Sequence, residues 1–196
     1  MKLSSGSRDG DSLTIHIADD RLAQIRRKVE AYDLDQLPDA GGWKSGIGKA
    51  NLGRLIDYWF NQFDWRDAER RLNLLPHCPT QIEGQCLHFI HVPGDGAKPP
   101  LLLLHGWPGS FIEFEPLIPP LVADGHDVVV PSLPGFAFSM SLPTIVGPIR
   151  IAELLHGPMA ELFGETRYLV QAGDWGSGIA TRMAYSHPEA VPWHSP

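Results

Sequence analysis

The chain has 196 residues, 43% hydrophobic and 20% charged, with a formal net charge of −7. That balance suits a soluble globular protein with a sizeable core, built as one large domain or two small ones. The acidic balance, with no basic groove interleaved with aromatics, excludes nucleic acid and anionic membrane surfaces as favoured partners.

The opening stretch MKLSSGSRDGDSLTIHIAD has no apolar h-region, so no signal peptide is expected. DRLAQIRRKVEAY places Leu22, Ile25, Val29 and Tyr32 at helical spacing, with Asp19 or Asp20 as the expected N-cap. ANLGRLIDYWFNQFDWRDAERRLNLL repeats the pattern through Leu52, Leu55, Ile56, Trp59 and Phe60, then Ala68, Leu72 and Leu75. IEGQCLHFIHV alternates around Glu83-Gly84 and reads as a short strand pair. Cys78 and Cys86 are the only cysteines, too few for a zinc framework or a disulfide scaffold, so two reduced thiols are expected.

The composition shifts at the Gly/Pro-rich HVPGDGAKPP, which divides residues 1–92 from 93–196. Beyond it, LLLLH (from Leu101) is a continuous apolar run, as a parallel strand buried on both faces should be. At four leucines it is far too short to span a bilayer, and a cytoplasmic location is expected. SFIEFEPLIPPLVADG reads as a helix shortened or broken by Pro116 and Pro119. HDVVVPSLPGF is a second buried strand, and PIRIAELLHGPMAELFG a helix that Gly157-Pro158 should kink. RYLVQAG is a third strand and SGIATRMAYSHP the helix after it. Strands alternating with helices predict an α/β domain with a mostly parallel sheet and flanking helices, after a mainly helical N-terminal segment. Sites in such sheets lie at the carboxyl ends of the strands.

Ala172-Gly173-Asp174-Trp175-Gly176 has the shape of the strand–turn–helix motif G-x-S-x-G, with aspartate at the nucleophile position. A turn this tight needs small flanking residues, and the helix N-terminus behind Asp174 favours a carboxylate there. The plainer reading is an aspartate that caps the helix. The strand at Leu101 leads directly into His105-Gly106-Trp107-Pro108-Gly109-Ser110. In α/β hydrolases one oxyanion N–H comes from this loop and the other from the residue after the nucleophile. The backbone N–H groups of Trp107 and Trp175 are the candidates. Gly106 and Gly109 are expected to permit the turn, and Pro108 to fix it, with a cis bond as one option. His105 is expected to be a structural loop histidine, because the base of this fold comes from much later in the chain. Gly173 and Gly176 complete the structural set.

Together, LLLLHGWPGSFIEFEPLI, VVVPSLPGFAFS and YLVQAGDWGS, in that order, resemble the epoxide hydrolases of the microsomal and juvenile-hormone type. YWFNQFDWRDAERRLNLLPHCPTQIEGQCLHFIHV is similar to the N-terminal segment of that branch, so the resemblance spans roughly residues 10–190. It implies that Asp174 attacks an epoxide carbon to give an alkyl–enzyme ester, which a histidine-activated water then hydrolyses to the diol. The ester still carries a carbonyl for water to attack, which accounts for aspartate in place of serine. Trp107, Phe136 and Trp175 suggest an apolar surround for a small hydrophobic epoxide. No cofactor and no metal are implied.

In the family the base, its acidic partner and two lid tyrosines come later than this chain extends. Tyr168, Tyr185, His187 and His194 are not placed to replace them: Tyr185 and His187 lie roughly 15 Å from Asp174 along the helix. The ending PWHSP also departs from a family strand, since proline does not fit a central strand. The expectation is therefore the N-terminal part of an α/β-hydrolase fold, C-terminally truncated, with cap and later strands missing and activity impaired. The RYLVQ strand would then be an open sheet edge prone to self-association. Two other readings stay open: a haloalkane dehalogenase-like hydrolase, and a non-catalytic remnant or binding module.

Overall fold

Asp19–Glu30 forms helix α1, whose stripe of Leu22, Ile25 and Val29 is the half-buried face of an otherwise exposed helix. The computed structural model describes residues 13–38, 41–139 and 146–192, and His194 lies outside them. The N-cap of α1 is Ala18, with no side-chain cap; Asp19 and Asp20, the expected caps, occupy the first turn instead. There they complement the positive end of the helix dipole.

The second helical segment divides at Asp64 into α2 (Lys49–Asn61) and α3 (Trp65–Leu72). The Asp64 carboxylate caps α3, accepting from the N–H groups of Arg66 and Asp67. In α3, Glu69 is buried and fully partnered. It accepts from Ile17 N–H at 2.6 Å, Trp65 Nε1–H at 3.1 Å and Arg66 Nη1 at 2.5 Å. The Ile17 amide foremost, then Arg66 and Trp65, hold its carboxyl below the usual range against the opposing effect of desolvation. Asn73 exchanges two bonds with the Ile15 backbone, so residues 15–17 are tied to α3. Residues Thr14–Leu74 form one compact unit, and the chain from Leu75 onward belongs to a second.

In the second unit, His77–Ile82 (β1) and Gln85–Val92 (β2) make the expected antiparallel pair. Its two-residue turn has positive φ at both Glu83 (51°) and Gly84 (77°), the backbone twist that matches paired strands. Leu101–Leu104 (β3), Val128–Pro131 (β4) and Leu169–Ala172 (β5) are parallel. β2 joins β4 antiparallel, giving a mixed five-stranded sheet in the order β1-β2-β4-β3-β5. Between β3 and β4, the proline-rich segment is a 3₁₀ helix over Phe111–Leu117 followed by α4 (Ile118–Ala123). Helix α5 (Pro148–Phe163) starts with proline where no N–H is needed and continues through Pro158. Helix α6 (Trp175–Ser186) follows β5.

One side of the sheet packs Phe89, Leu102, Leu104 and Val129 against Ile151, Leu155 and Met159 of α5 and Ile179 and Met183 of α6. Leu101, Leu103, Val128 and Val130, also buried, alternate to the other side. The register pairs Leu104 with Ala172 at the carboxyl ends of β3 and β5. The loops after these strands therefore emerge side by side, and that adjacency builds the site. Among the described residues no helix is long and apolar enough to cross a membrane, and no cluster of His, Cys, Asp or Glu could hold a metal ion.

Candidate active site

β5 delivers the chain at Ala172, and α6 begins at Trp175, so two residues must reverse its direction. Asp174 takes the strain of that turn, with φ 50° and ψ −123°, a conformation L-residues rarely adopt. Gly176 allows the helix to start this close to β3: a Cβ there would lie 2.6 Å from the Leu104 carbonyl oxygen and 2.8 Å from that of His105.

Strain at Asp174 comes with a directed side chain. Beyond the Trp175 amide beside it, its carboxylate does not cap α6. It turns to the neighbouring loop, where Trp107 N–H donates to Oδ1 at 2.8 Å. The Trp175 amide foremost, then the Trp107 amide, hold the carboxyl below its usual range, with desolvation opposing. The carboxylate is thus an exposed anion stabilised by backbone dipoles rather than by a counter-ion.

The loop after β3 is shaped to reach it. Trp107-Pro108 is a cis peptide. Gly106 is needed for space and not for turn freedom, since its φ is not positive; a Cβ would fall 2.4 Å from Asp174 Cβ and 2.6 Å from Oδ1. Gly109 has the same character, with Glu113 as its neighbour. Gly173 has open space around its Cβ position and an unexceptional φ.

His105 is 1% exposed, and both its ring nitrogens are engaged, one within its own loop and one by the loop after β4. Its Nε2 lies 3.1 Å from Leu133 N–H and must accept, which puts the proton on Nδ1, 3.2 Å from the Gly106 carbonyl oxygen. Burial pushes its pKa down, which keeps the ring neutral. Phe136 sets its ring edge-on to His105 at 5.1 Å between centroids. Trp107 and Trp175 leave large side chains exposed beside the carboxylate, at 69% and 52%.

The remaining candidates sit elsewhere. Tyr168 is buried, with its hydroxyl 2.8 Å from His156 Nδ1. His187 stacks on His156 at 3.7 Å and pairs with Glu153 at 3.1 Å. Tyr185 is exposed on α6, under Arg182. Among the described residues, none of these contacts Asp174. Sequence reasoning passed over His77, His88 and Ser132, a buried polar chain beneath the loop. The available signal was a histidine inside the apolar run Leu87–Ile90.

A carboxylate at a strained strand-to-helix turn, beside an amide-bearing loop after the adjacent parallel strand, defines a protein of the α/β-hydrolase fold. Residues 99–192 match the family model for that fold, and residues 11–114 match the one described as the epoxide hydrolase N terminus. The chain belongs to the epoxide hydrolase family. It is 36% identical over 180 residues to juvenile hormone epoxide hydrolase 2 of Ctenocephalides felis, covering 85% of this chain and 38% of that protein. Against epoxide hydrolase 1 of Sus scrofa it is 35% identical over 192 residues, covering 90% and 42%. The crystal structure of juvenile hormone epoxide hydrolase from the silkworm Bombyx mori superposes with a TM-score of 0.80 at 30% identity, over 93% of this chain and 52% of that one. The chain thus spans less than half the length of these two sequence relatives.

Proposed function

We propose that this chain carries the ester-forming half of an epoxide hydrolase site, with Asp174 as nucleophile. The observation that carries this reading is the 2.8 Å bond from Trp107 N–H to an Asp174 carboxylate held at positive φ. A carboxylate oxygen attacks an epoxide carbon, the C–O bond of the ring breaks, and its electron pair goes to the departing oxygen, which takes up a proton. When water later attacks the ester carbonyl, the Trp107 and Trp175 amides face the oxyanion that develops. The exposed indoles of Trp107 and Trp175, with Phe136, favour a hydrophobic epoxide. His105, Gly106, Pro108 and Gly176 serve as the structural frame, whereas nothing around Gly173 requires a glycine.

Ester hydrolysis needs a base within hydrogen-bond reach of the attacking water. Among the described residues of this unit, the histidines are engaged elsewhere. Turnover to the diol therefore draws on groups other than these. Functionally, residues 1–92 act as the family's N-terminal segment and 93–196 as the part bearing the nucleophile. The N-terminal match favours this reading over a dehalogenase. Among the described residues β5 is the edge of the sheet, and a second copy of the chain is the partner we propose for that edge.

The test is mass spectrometry of the denatured chain after incubation with styrene oxide. A covalent adduct mapping to Asp174 and lost in Asp174→Asn is expected. The same adduct on the variant overturns the assignment.

A further inference from the structure

Beneath the loop after β4 runs a chain of buried polar groups. His88, 1% exposed, places its Nε2 2.8 Å from His77 Nδ1 and its Nδ1 2.8 Å from Ser132 Oγ. Its backbone is equally engaged: its N–H donates to Ser139 Oγ at 2.9 Å, and its carbonyl accepts from Ser132 N–H at 2.9 Å. The rings of Phe111 and Phe138 stand edge-on to His88, at 5.1 and 5.2 Å between centroids. An imidazole in such surroundings is an expensive choice for packing alone, because its polar atoms need partners wherever they are buried.

Those partners lie at the two ends of a single loop. Ser132 and Ser139 bracket the turn in which Phe136 N–H bonds the Leu133 carbonyl and Ser139 N–H the Phe136 carbonyl. Leu133, next to Ser132, is the residue whose N–H meets His105 Nε2. His105 then gives its one proton to the Gly106 carbonyl. That carbonyl and the Trp107 N–H belong to the same planar trans peptide, so they point in opposite directions. Fixing the Gly106 oxygen aims the Trp107 N–H, and it is aimed at Asp174.

We propose that His88 is a positioning residue of the active site: through Ser132 and Leu133 it orients His105, and so sets the Gly106–Trp107 peptide that holds the Asp174 carboxylate. This rests on the reading of Asp174 and its amides as the reacting site. Burial, and His77 beside it, push the His88 pKa down to about 3, so the ring stays neutral and each of its nitrogens keeps a defined donor or acceptor role. His77 supplies the far anchor. The bond to Ser132 carries the effect.

Two substitutions separate the arms. The Asn amide occupies the place of the imidazole Nδ1, so His88→Asn keeps the Ser132 contact. The Gln amide reaches the place of Nε2, so His88→Gln keeps only the His77 contact. The readouts are the ¹³C titration of the Asp174 carboxyl and the ¹⁵N tautomer signature of His105, both on the whole chain and neither dependent on turnover. In His88→Gln and in Ser132→Ala, the Asp174 titration is expected to shift upward and His105 to lose its fixed Nδ1–H tautomer; in His88→Asn both stay as in the parent. Should His88→Gln fail to fold, Ser132→Ala decides alone. A Ser132→Ala chain with unchanged Asp174 and His105 signals, whatever its melting temperature, overturns the proposal. Absence of a styrene oxide adduct on the parent chain overturns the functional reading instead, and leaves these two signals to be read independently.

Discussion

The backbone N–H of Trp107 donates to Asp174 Oδ1 at 2.8 Å across 67 positions of sequence. Two loops from neighbouring parallel strands thus meet on one carboxylate, with the Trp175 amide beside it. Both amides favour the ionised form.

Asp174 is accordingly expected to titrate below the ordinary aspartate value of about 3.9. A depressed folded-state pKa means that the charged carboxylate contributes stability above the unfolded pKa, lost as pH falls through the folded one. The measurement is a ¹³C titration of the Asp174 carboxyl, with Asp174→Asn as the stability comparison. The stability gap between parent and variant should close toward acid. A midpoint at or above the ordinary value would mean that the two amides do not hold the charge.

In the helical unit the most exposed vulnerability is the cap of α3. Asp64 accepts from two amides that have no other partner in the first turn, and α3 also carries the buried Glu69. Asp64→Ala should cost about 1 kcal/mol, in the range of lost N-caps. By the same principle Ala18→Ser, which supplies the side-chain oxygen that α1 lacks, should stabilise. Urea melts of the two variants check both signs. Equal midpoints for Asp64→Ala and the parent would show the cap to be replaceable by water.

Much of the site could be read from residue order, and the reason is local. LLLLH and YLVQAG are short runs rich in apolar residues that read as strands, the first buried throughout and the second at the edge of the sheet, and the turn residues behind each announce tight loops. What order alone could not supply is register. That Leu104 lies beside Ala172, and so brings Trp107 to Asp174, depends on pairing strands far apart in sequence. The need for glycine at 106 is hidden for the same reason: the constraint comes from Asp174 across the gap, and not from its own dihedrals. Asp19 and Asp20 both have the chemistry of a cap, but the helix starts at the first of them and leaves Ala18 as the N-cap. The role of His88 is not legible in residue order because its partners, Ser132 and Ser139, sit 44 and 51 positions away.

The buried His88 also sets an acid limit on the fold. Its folded-state pKa of about 3 lies below the unfolded value of about 6.5. The unfolded chain therefore binds a proton that the folded chain refuses, so stability is full above about 6.5 and falls as pH drops toward 3. The slope from this group is at most about 1.4 kcal/mol per pH unit. Burial lowers the pKa of His105 and His156 in the same direction, adding to the trend. Chemical denaturation at pH 7 and pH 5 should give a lower midpoint at pH 5, and His88→Gln should flatten the difference. An unchanged slope in the variant would assign the acid limit to other groups.

Gly106 and Gly178 make opposite predictions from the same geometric argument. At Gly106 an added methyl would lie 2.4 Å from Asp174 Cβ and 2.6 Å from Oδ1, closer than atoms can pack. Either the loop or the carboxylate must shift, and a displacement of about 1 Å at a reacting group costs roughly 100-fold in rate. Gly106→Ala should therefore lower the rate of adduct formation by about that factor while the far-UV spectrum stays as in the parent. At Gly178, inside α6, an added methyl meets nothing within 4 Å. Gly178→Ala removes backbone freedom from the unfolded chain and should stabilise by about 0.5–1 kcal/mol with alkylation of Asp174 unchanged. If Gly106→Ala formed the adduct at the parent rate, the close packing of this loop on the carboxylate would have no bearing on the chemistry.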